Sequence, residues 1–323
     1  MYNNSTAVYR PDIQAFLMQA EDVEEAFCAQ DLFPVHNVSK RTGQYPRITI
    51  AEGGLMRKDE SARNATGTYN EITRRHNWDN YKLTDRGLKV RIDDDKADEM
   101  DDFFDLEMVE SRLLKRSLLY GHEARAATAL MDTSVFPNEA AAVAYTESTL
   151  STVDFARDMM LAIKKLKNRG VMPNRIVLSD TLWNLIRRSK LLNDYMFGAT
   201  NNIKRLIKGS DIGTAFSEEA GGPIELKVAS ASEDTSNRAK TTAVFSPIWG
   251  NAGIWVGKVK GGDLQAGGAT RCLSWTKAVK SGLFETESWR DEERRGDMIR
   301  IRSYSDFKIL DETAGQIIVT SFA

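Results

Sequence analysis

Residues 298–310, Met-Ile-Arg-Ile-Arg-Ser-Tyr-Ser-Asp-Phe-Lys-Ile-Leu, run through Asp-Glu-Thr-Ala-Gly at 311–315 into Gln-Ile-Ile-Val-Thr-Ser-Phe at 316–322. Alternation puts Ile299, Ile301 and Ser303 on one face and Arg300, Arg302 and Tyr304 on the other, so the first segment is a strand with one buried side. The Gly-containing break is short, which predicts a hairpin with the second segment and a chain end tied into a sheet. Just upstream of this region, Arg294 and Arg295 sit beside Gly296, and Trp289 precedes them.

Working outward, residues 93–131 show apolar side chains at helical spacing, namely Phe103, Leu106, Val109, Leu113, Tyr120, Ala124, Ala127 and Met131. This predicts one very long helix of about 50 Å, a spine more than a packing element. Gly121 inside it marks a bend or a close contact. The acidic run at 93–102 is not a calcium loop: counting from Asp93, the sixth position is Asp98 where a glycine is needed, and the twelfth is Phe104 where a bidentate Glu is needed. Acidic residues in a first turn suit the helix dipole instead. A short strand, 88–92, precedes the helix.

Residues 40–81 are polar and rich in Gly, Asn, Arg, Thr and Glu, with strand-like pieces at 45–50 and 67–73. They predict a long two-stranded arm with its tip at 53–60, which needs another surface to lie on because an isolated hairpin is marginal in water. Before it, Ile13, Phe16, Leu17, Ala20, Val23 and Phe27 fit an amphipathic helix. The middle third alternates: a helix over 151–168 opened by Asp154, a strand at 175–178, a helix capped by Ser179-Asp180, then strands at 224–229, 242–245 and 254–259. The class is α+β, with helices around a central sheet.

Composition narrows function. The chain has 323 residues, 41% of them apolar, which is enough for a real core, and a formal charge of −2 from 44 basic and 46 acidic residues argues against a protein built to grip phosphate backbones. Cys28 and Cys272 have neither zinc nor disulfide spacing, and both are expected reduced and buried. No apolar run reaches the roughly 18 residues of a membrane span, and no secretory signal is present, so a cytoplasmic site of synthesis is expected. His36, His76 and His122 lack catalytic or metal spacing and are expected to be hydrogen-bonded or solvent-facing. No catalytic residue, cofactor site or metal site is assigned. The six tryptophans, Trp78, Trp183, Trp249, Trp255, Trp275 and Trp289, are core or interface anchors.

This order of parts resembles the major capsid protein of tailed bacteriophages, the fold typified by the phage HK97 shell subunit. The resemblance rests on arrangement, with local support from residues 83–92 (Leu-Thr-Asp-Arg-Gly-Leu-Lys-Val-Arg-Ile), 172–180 (Met-Pro-Asn-Arg-Ile-Val-Leu-Ser-Asp) and 301–308 (Ile-Arg-Ser-Tyr-Ser-Asp-Phe-Lys). It implies an N-arm at 1–40, an E-loop at 41–82, a peripheral (P) domain with the spine helix at 83–145, an axial (A) domain at 146–265, and return strands to the P domain at 266–323. It further implies a non-enzymatic shell of pentamers and hexamers around double-stranded DNA bound without sequence specificity, a virion location, a portal, a decoration protein in some relatives, and no membrane partner. Because the chain reaches its N-arm almost at once, a separate scaffolding protein is expected. Candidate subunit-contact residues are Tyr45, Arg57, Lys58, Arg74, Arg75, Trp289, Arg294 and Arg295. The covalent Lys–Asn joint of the HK97 shell is not expected, since Lys58 could supply the lysine but no Asn occurs in 261–323. An encapsulin-like compartment is the alternative within the fold, and a soluble α+β enzyme the alternative outside it.

Overall fold

The structure is a computed structural model that describes residues 8–10, 13, 27–47, 67–69, 77–101, 105–198, 206–236, 242, 244–264, 267–275 and 283–321. In chain order the elements are β1 (Val8–Tyr9), α1 (Ala29–Leu32), β2 (Val35–Val38), β3 (Thr42–Arg47), β4 (Asn77–Lys82), β5 (Thr84–Asp93), α2 (Asp94–Met100), α3 (Leu106–Leu130), β6 (Asn138–Ala140), α4 (Phe155–Asn168), β7 (Arg175–Ser179), α5 (Asp180–Ile186), α6 (Lys190–Phe197), α7 (Gly209–Ala220), β8 (Glu225–Ala229), β9 (Ser232–Asp234), β10 (Phe245–Pro247), β11 (Gly253–Gly257), β12 (Thr270–Trp275), β13 (Glu285–Asp291), β14 (Gly296–Ile309) and β15 (Gly315–Val319). The mixed α+β class predicted from the sequence is the observed one.

Two sheets carry the fold. In the first, β14 is the long central strand: β5 pairs along one edge, while β13 and β12 share the other edge in succession, with β1 beyond β13 and β2 beyond β12. The second sheet runs β6-β15-β11-β7-β8. The predicted C-terminal hairpin therefore does not form, because β14 and β15 lie in different sheets. The short break at 312–314 is a 3-10 turn in which Asp311 accepts from the Thr313 N–H. β15 is then buried along most of its length between β11 and β6, a better fate for Gly-Gln-Ile-Ile-Val than one exposed face of a hairpin. Gly315 permits this: a Cβ there would sit 2.6 Å from the Phe136 ring and 2.8 Å from Trp255 Nε1.

The predicted single spine is two helices. Asp105 is extended, at φ −69° and ψ 104°, and its side chain caps α3 by accepting from Met108 N. The acidic run itself is helical in α2, and the break falls after it, where the Asp105 cap opens a new helix. The 25 residues of α3 span about 37 Å. Its phase also differs from the apolar pattern. Val109 and Leu113 are exposed, while Ser111, Lys115, Leu119, His122, Glu123, Ala126, Ala127 and Leu130 face inward. A helix whose inward stripe carries charges gives a misleading apolar phase.

Glu123 shows why one such charge is tolerated. Its Oε1 accepts from Cys28 N at 2.9 Å and Trp249 Nε1 at 2.6 Å, and its Oε2 accepts from Ala29 N at 2.9 Å. The carboxylate thus ties the α1 segment, the spine and the loop before β11 together. In the middle third, Asp154 caps α4, whose Phe155, Met159, Ile163 and Leu166 are buried as their spacing predicts, and Ser179 caps α5. Most of the amphipathic segment predicted at 13–27 lies outside the described residues; Ile13 is buried.

Candidate subunit-contact surfaces

The arm begins with β3 and β4, an antiparallel pair in which Tyr45 faces Asp79 and Pro46 faces Trp78. Residues 67–69, predicted to open the return strand, are not in a strand; the return strand is β4. One face of the pair is rooted on the chain's own core, which sequence composition did not suggest. Tyr45 is buried with Tyr81, Leu83, Leu273 and Leu310. Its Oη lies 3.0 Å from Asp79 Oδ2 and 3.4 Å from the Ile309 carbonyl oxygen. Burial, then the hydrogen bond and charge of Asp79, push this phenol well above its ordinary range. Burial alone would raise the Asp79 carboxyl, but the Asn80 N–H, the Tyr45 hydroxyl, Lys308 and Arg47 outweigh it and hold that group low. Arg47 completes the root with a 3.2 Å ion pair to Glu312.

The opposite face of the pair is largely exposed among the described residues. Trp78 is 64% exposed beside Pro46, with Asn80 and Lys82 along the same strand. Tyr45, named from sequence as a contact residue, spends its aromatic area inside its own subunit, whereas Trp78 offers its ring outward. Trp78 and Tyr81 have opposite parity in the strand Asn-Trp-Asp-Asn-Tyr-Lys, a signal that could have separated them. Arg57, Lys58, Arg74, Arg75 and the tip at 53–60 lie outside the described residues.

A second surface is the turned end of β13 and β14. Arg295 adopts φ 45° in the left-handed region, and Gly296 follows because a Cβ there would meet the Ile92 carbonyl oxygen at 2.3 Å. Arg290 grips both oxygens of Asp94 at 2.6 Å, fixing this end to the start of α2. That pairing holds the Asp94 carboxyl below the ordinary carboxylate range. Arg294 points into solvent 3.9 Å from Asp291. Trp289 is half-buried under Arg300, whose guanidinium carbon lies 5.2 Å from the ring centroid. The three residues named here, Trp289, Arg294 and Arg295, are thus brought to one end of the first sheet. On its outward face Arg300 and Arg302 pair with Glu287, and Arg302 reaches Glu285 at 3.5 Å.

Among the described residues no group of three or more His, Cys, Asp or Glu could hold a metal, and no helix is long and apolar enough to cross a membrane. Both cysteines are free and buried, and burial pushes each thiol up to about 12. Trp183, Trp249 and Trp255 are core residues. His36 is half-exposed in β2 and His76 lies outside the described residues. His122 departs from expectation: it is buried, and neither ring nitrogen has a hydrogen-bond partner.

The whole arrangement is matched among solved structures. A phage-related protein from Bordetella bronchiseptica RB50 superposes with a TM-score of 0.71 at 14% identity, covering 98% of each chain. The fold is that of HK97-like phage capsid proteins. The capsid protein of cyanophage P-SCSP1u shares it at a TM-score of 0.58 and 11% identity, over 92% of this chain and 89% of that one. So does the SrpI encapsulin of Synechococcus elongatus PCC 7942, at 0.51 and 10%, over 97% and 96%. No protein-family model and no curated protein matches the sequence. At such identities the capsid fold is carried by burial pattern and topology, with few residues in common.

Proposed function

We propose that this chain is the major capsid protein of a tailed phage, assembling as pentamers and hexamers into an icosahedral shell around double-stranded DNA. The observation that carries this reading is the arm: one face is stapled to its own sheet through Tyr45 and Tyr81, while Trp78, 64% exposed, lies on the opposite face beside Pro46. A large aromatic held on a rigid two-stranded root suits an interface anchor, and a second copy is the partner a shell requires. The exposed end of β13 and β14, with Arg294 and Arg295, is a second contact, and Arg57, Lys58, Arg74 and Arg75 extend the first along the arm. The domain boundaries inferred from sequence belong to the same proposal, with β15 contributed to the A-domain sheet. So does a loop within 189–222 nearest the symmetry axes. The chain works in the virion, is made in the host cytoplasm, uses a separate scaffolding protein and a portal, and catalyses nothing.

Burial at about 25 cal/mol per Å² over several such contacts, each weak alone, closes the shell, with exposed ion pairs setting register. Negative-stain microscopy and sedimentation velocity on the chain, alone and with its scaffold, test this: shells or rings of five and six are expected, and a stable monomer in both conditions would refute it. Trp78→Ala should leave subunit stability within about 0.5 kcal/mol yet reduce assembly, as should deletion of residues 53–60. Normal shells from both variants would remove the arm's role. The encapsulin likeness favours a second reading, a compartment holding a cargo enzyme; purified shells containing a protein and no DNA would select it.

A further inference from the structure

Between α3 and the first sheet, polar side chains converge and leave their hydrogen-bonding capacity unused. His122 and Arg125, three residues apart, share one face of α3. That face meets the sheet at Phe307, whose ring centroid lies 4.6 Å from that of His122. Ser305, two residues before Phe307 on β14, lies on the same side of the sheet and stands directly opposite Ser274 of β12. Arg86 of β5 joins them, its Nη1 donating to the Ser305 carbonyl oxygen at 3.1 Å. His122, Ser274 and Ser305 are each at most 1% exposed, yet Nδ1, Nε2 and both Oγ atoms have no partner. Four unpaired buried polar atoms in one place are a concentrated cost in a native core.

The charge is equally uncompensated. Arg125 is half-buried, and among the described residues no hydrogen bond or ion pair is seen to it; its Nη1 folds back over Gly121, 3.4 Å from where a Cβ would stand. At Gly121 a Cβ would meet only this flexible side-chain end at ordinary van der Waals distance, so no close contact there requires a glycine. Burial, then the charge of Arg86, lowers the Arg125 guanidinium to about 10. The nearest acids in sequence are spent elsewhere: Asp85 accepts from Tyr304 on the other side of the sheet, and Asp306 pairs with Lys308.

We propose that this cluster binds a small tetrahedral oxyanion of the phosphate or sulfate class, with Arg86 and Arg125 supplying charge and His122, Ser274 and Ser305 supplying donors. Arg86 and Arg125 are half-buried, while His122, Ser274 and Ser305 are buried. Four acceptor oxygens match donors arriving from a helix and three strands better than the two oxygens of a carboxylate. The inference concerns the folded subunit and does not depend on whether shells form.

Isothermal titration of the full chain with sodium phosphate, against chloride and acetate at equal ionic strength, tests it. Saturable phosphate binding is expected, weakened about tenfold or more by Arg125→Gln and by Arg86→Gln, and partly restored by the lysine variants. Duplex DNA should not displace the ion. On the unaltered chain, phosphate but not chloride should move the His122 ring nitrogen resonances, a readout that survives if a variant folds poorly. Equal responses to phosphate and chloride, or undiminished affinity in the Arg86→Gln/Arg125→Gln double variant, would overturn the proposal.

Discussion

His122 and Glu123 are consecutive on α3, equally buried, and treated in opposite ways. Glu123 receives three N–H donors from two separate stretches of chain, whereas His122 receives none and shares its surroundings with two guanidiniums. Burial drives the Glu123 carboxyl up and the donors of Cys28, Ala29 and Trp249 pull against it. Burial drives the imidazole down, to about 3, and Arg125 and Arg86 push the same way. A buried ionisable group is a structural joint where the chain answers it. Where the chain does not, it marks demand that something outside the chain can meet.

The comparison breaks most plainly at Glu123. Glu123→Ala removes the acceptor for three buried N–H groups and should cost about 3–5 kcal/mol in urea denaturation of the subunit. Glu123→Gln, which keeps one acceptor oxygen, should cost less. A loss under about 1 kcal/mol for the alanine variant would show that α1 and the Trp249 loop are held mainly by apolar packing.

Next in size is the pH response, with opposite signs at the two positions. Between pH 6.5 and about 3 the unfolded chain protonates residue 122 and the folded chain does not. Stability should therefore fall with acidification across that window, by at most about 1.4 kcal/mol per pH unit from this one group. The charges of Arg125 and Arg86 add to the cost that burial places on an imidazolium here. Glu123 works the other way: its folded value lies above its unfolded one near 4.5, so its contribution is full below 4.5 and is lost as pH rises through the folded value. His122→Phe should flatten the acid slope, and phosphate should flatten it in the unaltered chain. Superimposable stability curves for His122→Phe and the original chain between pH 6.5 and 4.5 would sink this assignment.

Much of the frame was legible in the sequence because it rests on period and punctuation. The strands at 84–93, 175–179 and 296–309 alternate or run apolar between clear breaks, and Asp154 and Ser179 open their helices where caps belong. What was hidden depends on partners distant in the chain. Gln-Ile-Ile-Val reads equally as a hairpin strand or as a central strand, and only the unfilled place between β11 and β6 decides. The phase of α3 was hidden because Glu123 is apolar in effect once Cys28, Ala29 and Trp249 satisfy it, while Val109 and Leu113 are left outside. At the contact surfaces, Tyr45 and Trp78 are both aromatics on the arm, and sequence alone did not say which face roots and which face is exposed. The Arg86, His122 and Arg125 cluster had no local motif at all, since its members come from β5 and α3 and meet serines of β12 and β14.

The smallest effect is also the sharpest test of the difference between the two neighbours. Ser274 Oγ is fully buried and unpartnered, so in the absence of an anion the hydroxyl contributes only its desolvation cost. Ser274→Ala should then stabilise the subunit by up to about 1 kcal/mol, an unusual sign for a change inside a core. With phosphate present the sign should reverse, because the variant loses a donor to the bound ion and gains less protection from it. Parallel thermal melts with and without phosphate measure both. A variant destabilised equally in the two conditions would mean that the Ser274 hydroxyl is satisfied in the folded state by a resident water, and that this side of the helix is as fully answered as the Glu123 side.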